Sequence, residues 1–408
     1  MQKLKWPLVG AGMVIGILAG VVAASLSLFL DGVEHVMLHY HETNLHPIAT
    51  GTNPWWRLLS VTLAGIIAAI SWYYLQRQRK LVNINQALKQ QVMPVKATIL
   101  DVLTQIFYVG SGGSVGRELA PREGAVMVWQ QVSRHWPRWQ FDADEQRLLM
   151  ATSAGAGFAG VYISPLTGML FVVEMLYRKV TVNSVVVSLI ASGIATVIGA
   201  SVKGWSPYYA VVKPTWDWSQ VPWVILLATL LTFVGVVFRY GITTAKAHHV
   251  TDRHILWQLP VMALLTGLVA LKFPQVMGNG RGLAQLAMTT KPSLMLLGGL
   301  VVMLVAKALL TLGTLKAGAY GGVIAPSIAI GATSALMIAC ILMPAGWSFN
   351  PVLAGIVGAT TVLSVTQRAP WMALVMMMEI CQLPVMDAIY LGMAVFVAWL
   401  MQRWFKLN

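Results

Sequence analysis

Charge is scarce in this 408-residue sequence: Asp, Glu, Lys and Arg together make up only 10% of it, against about 25% in soluble domains. Hydrophobic residues fill 57%, so a water-soluble globular chain is excluded and a polytopic membrane protein is expected. Acidic residues are the scarcest, with 14 Asp and Glu against 28 Lys and Arg. A nucleic-acid binder would gather such a basic excess into one patch. Here it lies mainly in short segments between apolar runs, as at Arg77, Arg79, Lys80 and Lys89, which suits membrane flanks and loops. The two cysteines, Cys340 and Cys381, sit in apolar surroundings and offer no disulfide framework or Cys/His metal cluster. No metal or cofactor is expected. A paired acidic metal site, a nucleophile with its base and a glycine-lysine nucleotide signature are all absent. An enzyme is therefore not expected. A membrane enzyme acting on a lipid-linked phosphate is the rival of another class, supported only by Arg117, Glu118 and the histidines, and a purely structural membrane protein is a second rival.

Long apolar runs are what the chain does have. Lys3 and Lys5 precede Leu8 to Leu30, too long for a signal-peptide core, so this run is expected to remain as a first membrane helix. His35, His39, His41 and His46 fall in a polar stretch better explained as a loop than as a zinc site. Further runs cover residues 58–75, 98–108, 148–176 with Pro165 inside, 185–200 and 221–238. A basic, histidine-containing loop at residues 246–254 separates them from runs at 260–271, 294–310, 323–342, 351–365 and 370–400. Trp136 and Trp139 mark a membrane boundary, where indoles are favoured. Some runs match a crossing of about 20 residues, and others are shorter. Short helices can end inside a protein where their backbone ends face a cavity or an ion.

One stretch organises the rest: Gly112-Gly113-Ser114-Val115-Gly116-Arg117-Glu118-Leu119-Ala120-Pro121. A shift of 205 lays it on Gly318-Ala319-Tyr320-Gly321-Gly322-Val323-Ile324-Ala325-Pro326, and the same shift pairs Pro165 with Pro370 and Glu174 with Glu379. The shared register indicates an internal duplication, with halves of about 1–205 and 206–408. Paired broken segments in two halves of a membrane protein point to a central binding site. A helix N-terminus presents backbone amides and the positive end of a dipole, and holds an anion without a full charge. Gly116, Arg117, Gly321, Gly322, Val323 and Ile324 are the expected anion-binding residues. Glu118 at the edge of this construction competes for an anion position until it is protonated. Its other role is a structural ion pair with Arg117 or another base.

Gly116-Arg117-Glu118, Gly321-Gly322-Val323-Ile324-Ala325-Pro326, Ser164-Pro165-Leu166-Thr167-Gly168 with Glu174, and Arg368-Ala369-Pro370 with Glu379 together resemble the chloride channel and chloride/proton antiporter family. The match runs from about residue 60 to 400 and is nearest its short bacterial ClcB-type members, which lack cytoplasmic nucleotide-binding modules. The resemblance implies an all-α, inverted-repeat membrane fold with many tilted and discontinuous helices. It implies a homodimer with one anion pathway per subunit, in the bacterial inner membrane, with both termini in the cytoplasm. It makes Glu118 the external gate and places the central anion at the amides near Val323 and Ile324. Glu123, in a second Arg-Glu-Gly sequence, is the alternative gate.

The chain also departs from the family pattern. The Gly-Ser-Gly-Ile-Pro segment before the gate is missing, its nearest counterpart being Arg79 to Ile84, so nitrate or another anion stands beside chloride. Tyr390 does not match the family's C-terminal tyrosine and is not assigned. Met175 takes the place of a second glutamate after Glu174 and cannot carry a proton. Glu174 and Glu379 are therefore candidates for a proton relay or for structural carboxylates. Lys307 and Lys316 either attract anions or snorkel to an interface. The function expected is transport of chloride or a similar small monovalent anion, slightly favouring a glutamate-gated channel because of Met175. The alternative is a chloride/proton antiporter with an atypical inner proton route. The expected partners are a second copy of the chain, small anions, protons and membrane lipid, with no nucleic acid.

Overall fold

A computed structural model describes residues 4–44, 46–78, 81–135, 140–343 and 349–405. Arg79, Lys80, Trp136 and Trp139, singled out above, lie outside the described residues, as does Lys3. Among the described residues there are helices and no strand; the one extended pairing is an isolated bridge. Six helices there are long and apolar enough to cross a membrane. The chain has an all-α polytopic membrane fold in which long helices alternate with short, interrupted ones.

Three helices run from one compact unit into the other: α1 (Trp6–Leu38), α2 (Pro54–Arg77) and α4 (Val95–Gly110). The first unit also holds α3 (Ile84–Ala87), α5 (Leu119–Arg134), α6 (Ala143–Tyr162), α7 (Pro165–Leu170) and α8 (Val182–Lys203). Its long apolar run around Pro165 is not one helix. Ile163 ends α6 in the left-handed conformation with φ of 53°, Pro165 starts α7, and a π-helical turn at Phe171–Leu176 follows. Proline supplies no amide to the preceding turn, so the chain restarts there. Small residues then let helices touch. A Cβ on Gly157 of α6 would stand 2.4 Å from the Pro121 carbonyl oxygen of α5.

The second unit holds α9 (Val221–Ala247), α10 (Ile255–Ala270), α11 (Arg281–Thr289), α12 (Leu297–Lys316) and α13 (Ile324–Leu342). It continues through α14 (Pro351–Gln367), α15 (Pro370–Ile380) and α16 (Asp387–Trp404), and includes residues 34–69 and 108–116. The apolar run 370–400 is again broken, between α15 and α16. Here α13 and α14 meet glycine on glycine: a Cβ on Gly331 would lie 2.3 Å from the Gly358 carbonyl oxygen. The break before α15 repeats the one before α7. Arg368 is left-handed at φ 53°, and Ala369 at φ −137°, ψ 78° matches Ser164 at φ −139°, ψ 79°.

Candidate functional site

The second unit joins the two glycine stretches directly. Helix α4 ends in a Schellman motif, in which the Gly113 amide donates to the Tyr108 carbonyl at 2.8 Å and the Gly112 amide to Val109 at 3.0 Å. Gly112 has φ of +108°, a conformation open to glycine at little cost. Helix α12 ends the same way around Gly318 at φ +104°, with Ala319 donating to Thr314 at 3.2 Å. Each chain then runs on to one residue of an antiparallel bridge. The Gly116 amide donates to the Gly322 carbonyl at 2.7 Å, and the Gly322 amide returns the bond at 2.8 Å. Gly321 must be small for this approach, because a Cβ there would stand 2.7 Å from Val115 Cγ2.

The bridge corrects the register read from the sequence. The turns and bridge residues pair Gly112 with Gly318 and Gly116 with Gly322, one position off the shift of 205. The helices that follow start at Leu119 and Ile324, back on that shift. The first stretch spends one more residue between bridge and helix, and Arg117 and Glu118 occupy that segment.

A buried lysine braces this region of the second unit. Lys307 has no exposed surface, and its Nζ donates to Ser114 Oγ at 2.9 Å, the Gly278 carbonyl at 2.7 Å and the Val276 carbonyl at 3.2 Å. Ser114 Oγ also lies 3.2 Å from Thr311 Oγ1. Snorkelling is thereby overturned for Lys307, while Lys316 is exposed. At the start of α13, Val323 occupies the N-cap without a side-chain bond, and the first turn closes where Ser327 donates to the Val323 carbonyl at 3.0 Å. Ser327 Oγ donates to the same carbonyl and takes a bond from Thr366 Oγ1 at 2.9 Å. Amides and hydroxyls dominate here, the chemistry that holds an anion loosely enough to release it.

The first unit places Glu118, wholly buried, at the N-cap of α5, with no capping bond from its side chain. Arg117 beside it is also buried. Arg122, one turn along, donates from Nε to the Glu118 carbonyl at 2.6 Å. Its guanidinium lies 5.1 Å from the centre of the Phe171 ring, the first residue of the π-helical turn that carries Glu174. Such turns are uncommon and concentrate at functional sites. Glu123 stands elsewhere on α5: it is buried and accepts a bond from Gln105 Nε2 at 2.8 Å. Glu379 lies near the end of α15 in the second unit.

Several further residues matter that the motifs did not single out. Ser114 and Gln105 are both buried hydrogen-bonding residues at the positions just described, and Asp101, an acid inside an apolar run, is a partner of Gln105. That ionisable residue in a scarcely charged run was the signal that could have drawn attention to it. Tyr390 has a structural use. Its hydroxyl takes a bond from the Asp217 amide and donates to the Asp217 carbonyl, both at 2.8 Å, while its ring stacks on Trp216 at 4.3 Å. No group of His, Cys, Asp and Glu among the described residues could hold a metal ion; His35 and His41 stack on one another instead.

The profile of the family described as voltage gated chloride channel matches residues 64–403. Among curated relatives, the voltage-gated ClC-type chloride channel ClcB of Salmonella typhimurium is 28% identical over 384 residues, covering 90% of this chain and 88% of its own. The protein of the same name from an Escherichia coli strain is 27% identical over 386 residues, at 90% and 88% coverage. Among solved structures, a slow cyanobacterial chloride/proton antiporter superposes with a TM-score of 0.81 at 19% identity, covering 99% of this chain and 96% of its own. A CLC-type fluoride/proton antiporter gives 0.67 at 17% identity, with 96% and 94% covered. With a profile match across most of its length, the chain belongs to the voltage-gated chloride channel family.

Proposed function

We propose that this chain exchanges chloride, or a small monovalent anion like it, for protons across a bacterial inner membrane. It works as a homodimer with one pathway per subunit, set in lipid, with both termini in the cytoplasm. The observation that carries the reading is the Gly116–Gly322 bridge, which fixes the two glycine stretches just ahead of two helix N-termini. One N-terminus has Glu118 as its cap, and the other begins at Val323 with neutral groups. Glu118 is the gate in this reading. Its carboxylate competes with the anion, and taking up a proton removes the competing charge. Gly116, Arg117, Gly321, Gly322, Val323 and Ile324 form the anion's surroundings, and Glu174, on its π-helical turn, is a relay candidate with Glu379 as its structural counterpart.

Exchange takes precedence over a passive pore for two reasons. Two relatives in fold are antiporters that move chloride or fluoride against protons, and the first unit buries the carboxyl groups of Asp101, Glu118 and Glu123. A glutamate-gated channel is the second reading, favoured by Met175 where an inner proton donor is expected. The test is a Glu118→Gln variant reconstituted in liposomes. Exchange predicts that anion flux persists while proton flux falls by about tenfold or more. Proton flux equal to that of the unaltered protein would remove Glu118 from the mechanism.

A further inference from the structure

Asp101 on α4 and Glu123 on α5 belong to the first unit and are both buried. One nitrogen serves both: Gln105 Nε2 donates to Asp101 Oδ2 at 3.0 Å and to Glu123 Oε2 at 2.8 Å. The other Asp101 oxygen accepts from Trp72 Nε1 at 2.7 Å. The shared amide nitrogen holds the two carboxyl groups close together. Gln105, itself wholly buried, leaves its Oε1 with no hydrogen-bond partner. With the amide nitrogen committed to both acids, that oxygen is an acceptor held in reserve beside them.

The surroundings add little charge. Helix α1 contributes apolar side chains to the neighbouring cluster: Val22, Leu26 and Leu30 pack with Val102, Ile106 and Ala120. Trp72 from α2 offers only its N–H. Arg122 brings a cation into this neighbourhood and interacts electrostatically with Glu118, Glu123 and Tyr162. Glu123 follows Glu118, the cap of α5, by five residues, roughly 7.5 Å along the axis.

We infer that Asp101 and Glu123 form a buried proton-binding pair that serves as the inner proton store for Glu118. The inference rests on the proposed exchange, and assigns to this pair the duty that Met175 cannot perform. Two bare carboxylates so placed repel each other, so the pair holds one proton at rest. It takes a second from water, the new O–H donating to Gln105 Oε1, and loses one to the Glu118 carboxylate through a relay of water molecules that spans the gap between them. That transfer neutralises Glu118 and returns the pair to its singly protonated state. Each cycle moves one proton and changes no other bond. Titration belongs to the pair as a unit rather than to either acid.

The test uses the full-length protein with Asp101→Asn, Glu123→Gln and Gln105→Leu variants. Proton and chloride fluxes in liposomes are read beside infrared spectra of the purified protein. The unaltered protein should show a protonated-carboxyl band at neutral pH that both acid variants lose or shift. Proton flux should fall by about tenfold or more in those variants, with chloride flux kept. In Gln105→Leu the band should shift and proton flux should fall less. A wild-type spectrum without the band overturns the pair. A wild-type protein that couples protons, with acid variants that keep the same proton-to-chloride ratio, overturns its role in exchange. If the wild-type protein moves chloride and no protons, the exchange reading has failed and this inference falls with it. Chloride flux lost in one variant but kept in another with the band absent separates misfolding from loss of the store.

Discussion

The two glycine stretches share a backbone and differ in chemistry. Both leave a helix through the same left-handed glycine turn, both supply one residue to the Gly116–Gly322 bridge, and both lead into a helix with proline at its third position. The first then inserts Arg117 and Glu118 between bridge and helix; the second passes straight from Gly322 to Val323 and Ile324. The shared turns and bridge thus provide two preorganised N-termini from glycines and prolines alone. Divergence of a few residues makes one of them titratable and leaves the other a set of dipoles. In the proposed exchange that asymmetry separates the gate from the binding site, because a carboxylate at both ends would exclude the anion it is meant to admit.

The largest expected break in this comparison comes at the bridge. Gly321→Val should abolish anion flux or folded yield, because even the first added carbon would meet Val115 Cγ2 at 2.7 Å; Gly321→Ala should lower unfolding stability by about 1–3 kcal/mol. Denaturation in detergent and liposome flux read the two effects. Gly113→Ala in the first stretch should cost a similar amount, since its Cβ would lie 2.4 Å from Tyr108 Cε1. Equal costs would confirm that both stretches are packed as tightly.

Lys307→Met comes next. It removes the ammonium that joins Ser114 to the carbonyls of Val276 and Gly278, and should destabilise the protein by about 1–3 kcal/mol through the acceptors it strips. If anion affinity falls more than stability does, Lys307 acts on the anion through its charge as well as on the loop.

The smallest effect concerns the paired breaks at Ile163 and Arg368, both left-handed at φ 53°. Arg368→Gly relieves the conformation and gives up an exposed side chain, so it should raise stability by about 1 kcal/mol. Ile163→Gly relieves the same strain but loses partly buried apolar surface, so its gain should be smaller. Thermal unfolding compares them, and a larger gain at Ile163 would show that its side chain packs poorly.

Much of this asymmetry is legible in the sequence, because glycine and proline act locally. Pro165 and Pro370 announce helix starts, and the run from Leu8 announces a spanning helix. The exact register at the bridge is not legible: the turns obey one shift and the helices another, and only the Gly116–Gly322 bonds reveal the exchange. The π-helical turn around Glu174 carries no pattern of its own, since it depends on how α7 continues past Leu170. Lys307 could be noticed as a charge in an apolar run, yet whether it snorkels or is buried depends on Ser114, nearly two hundred residues away in sequence. Glu123 invited attention as a second Arg-Glu-Gly, while its partnership with Asp101 and Gln105 arises from the packing of α4 on α5.

The most direct measurement is proton movement in liposomes holding the unaltered protein, driven only by a chloride gradient. Exchange predicts protons moving uphill, opposite to chloride, and stopping when chloride is replaced by an anion the protein does not carry. Robust chloride flux with no proton movement would contradict exchange and leave a glutamate-gated channel.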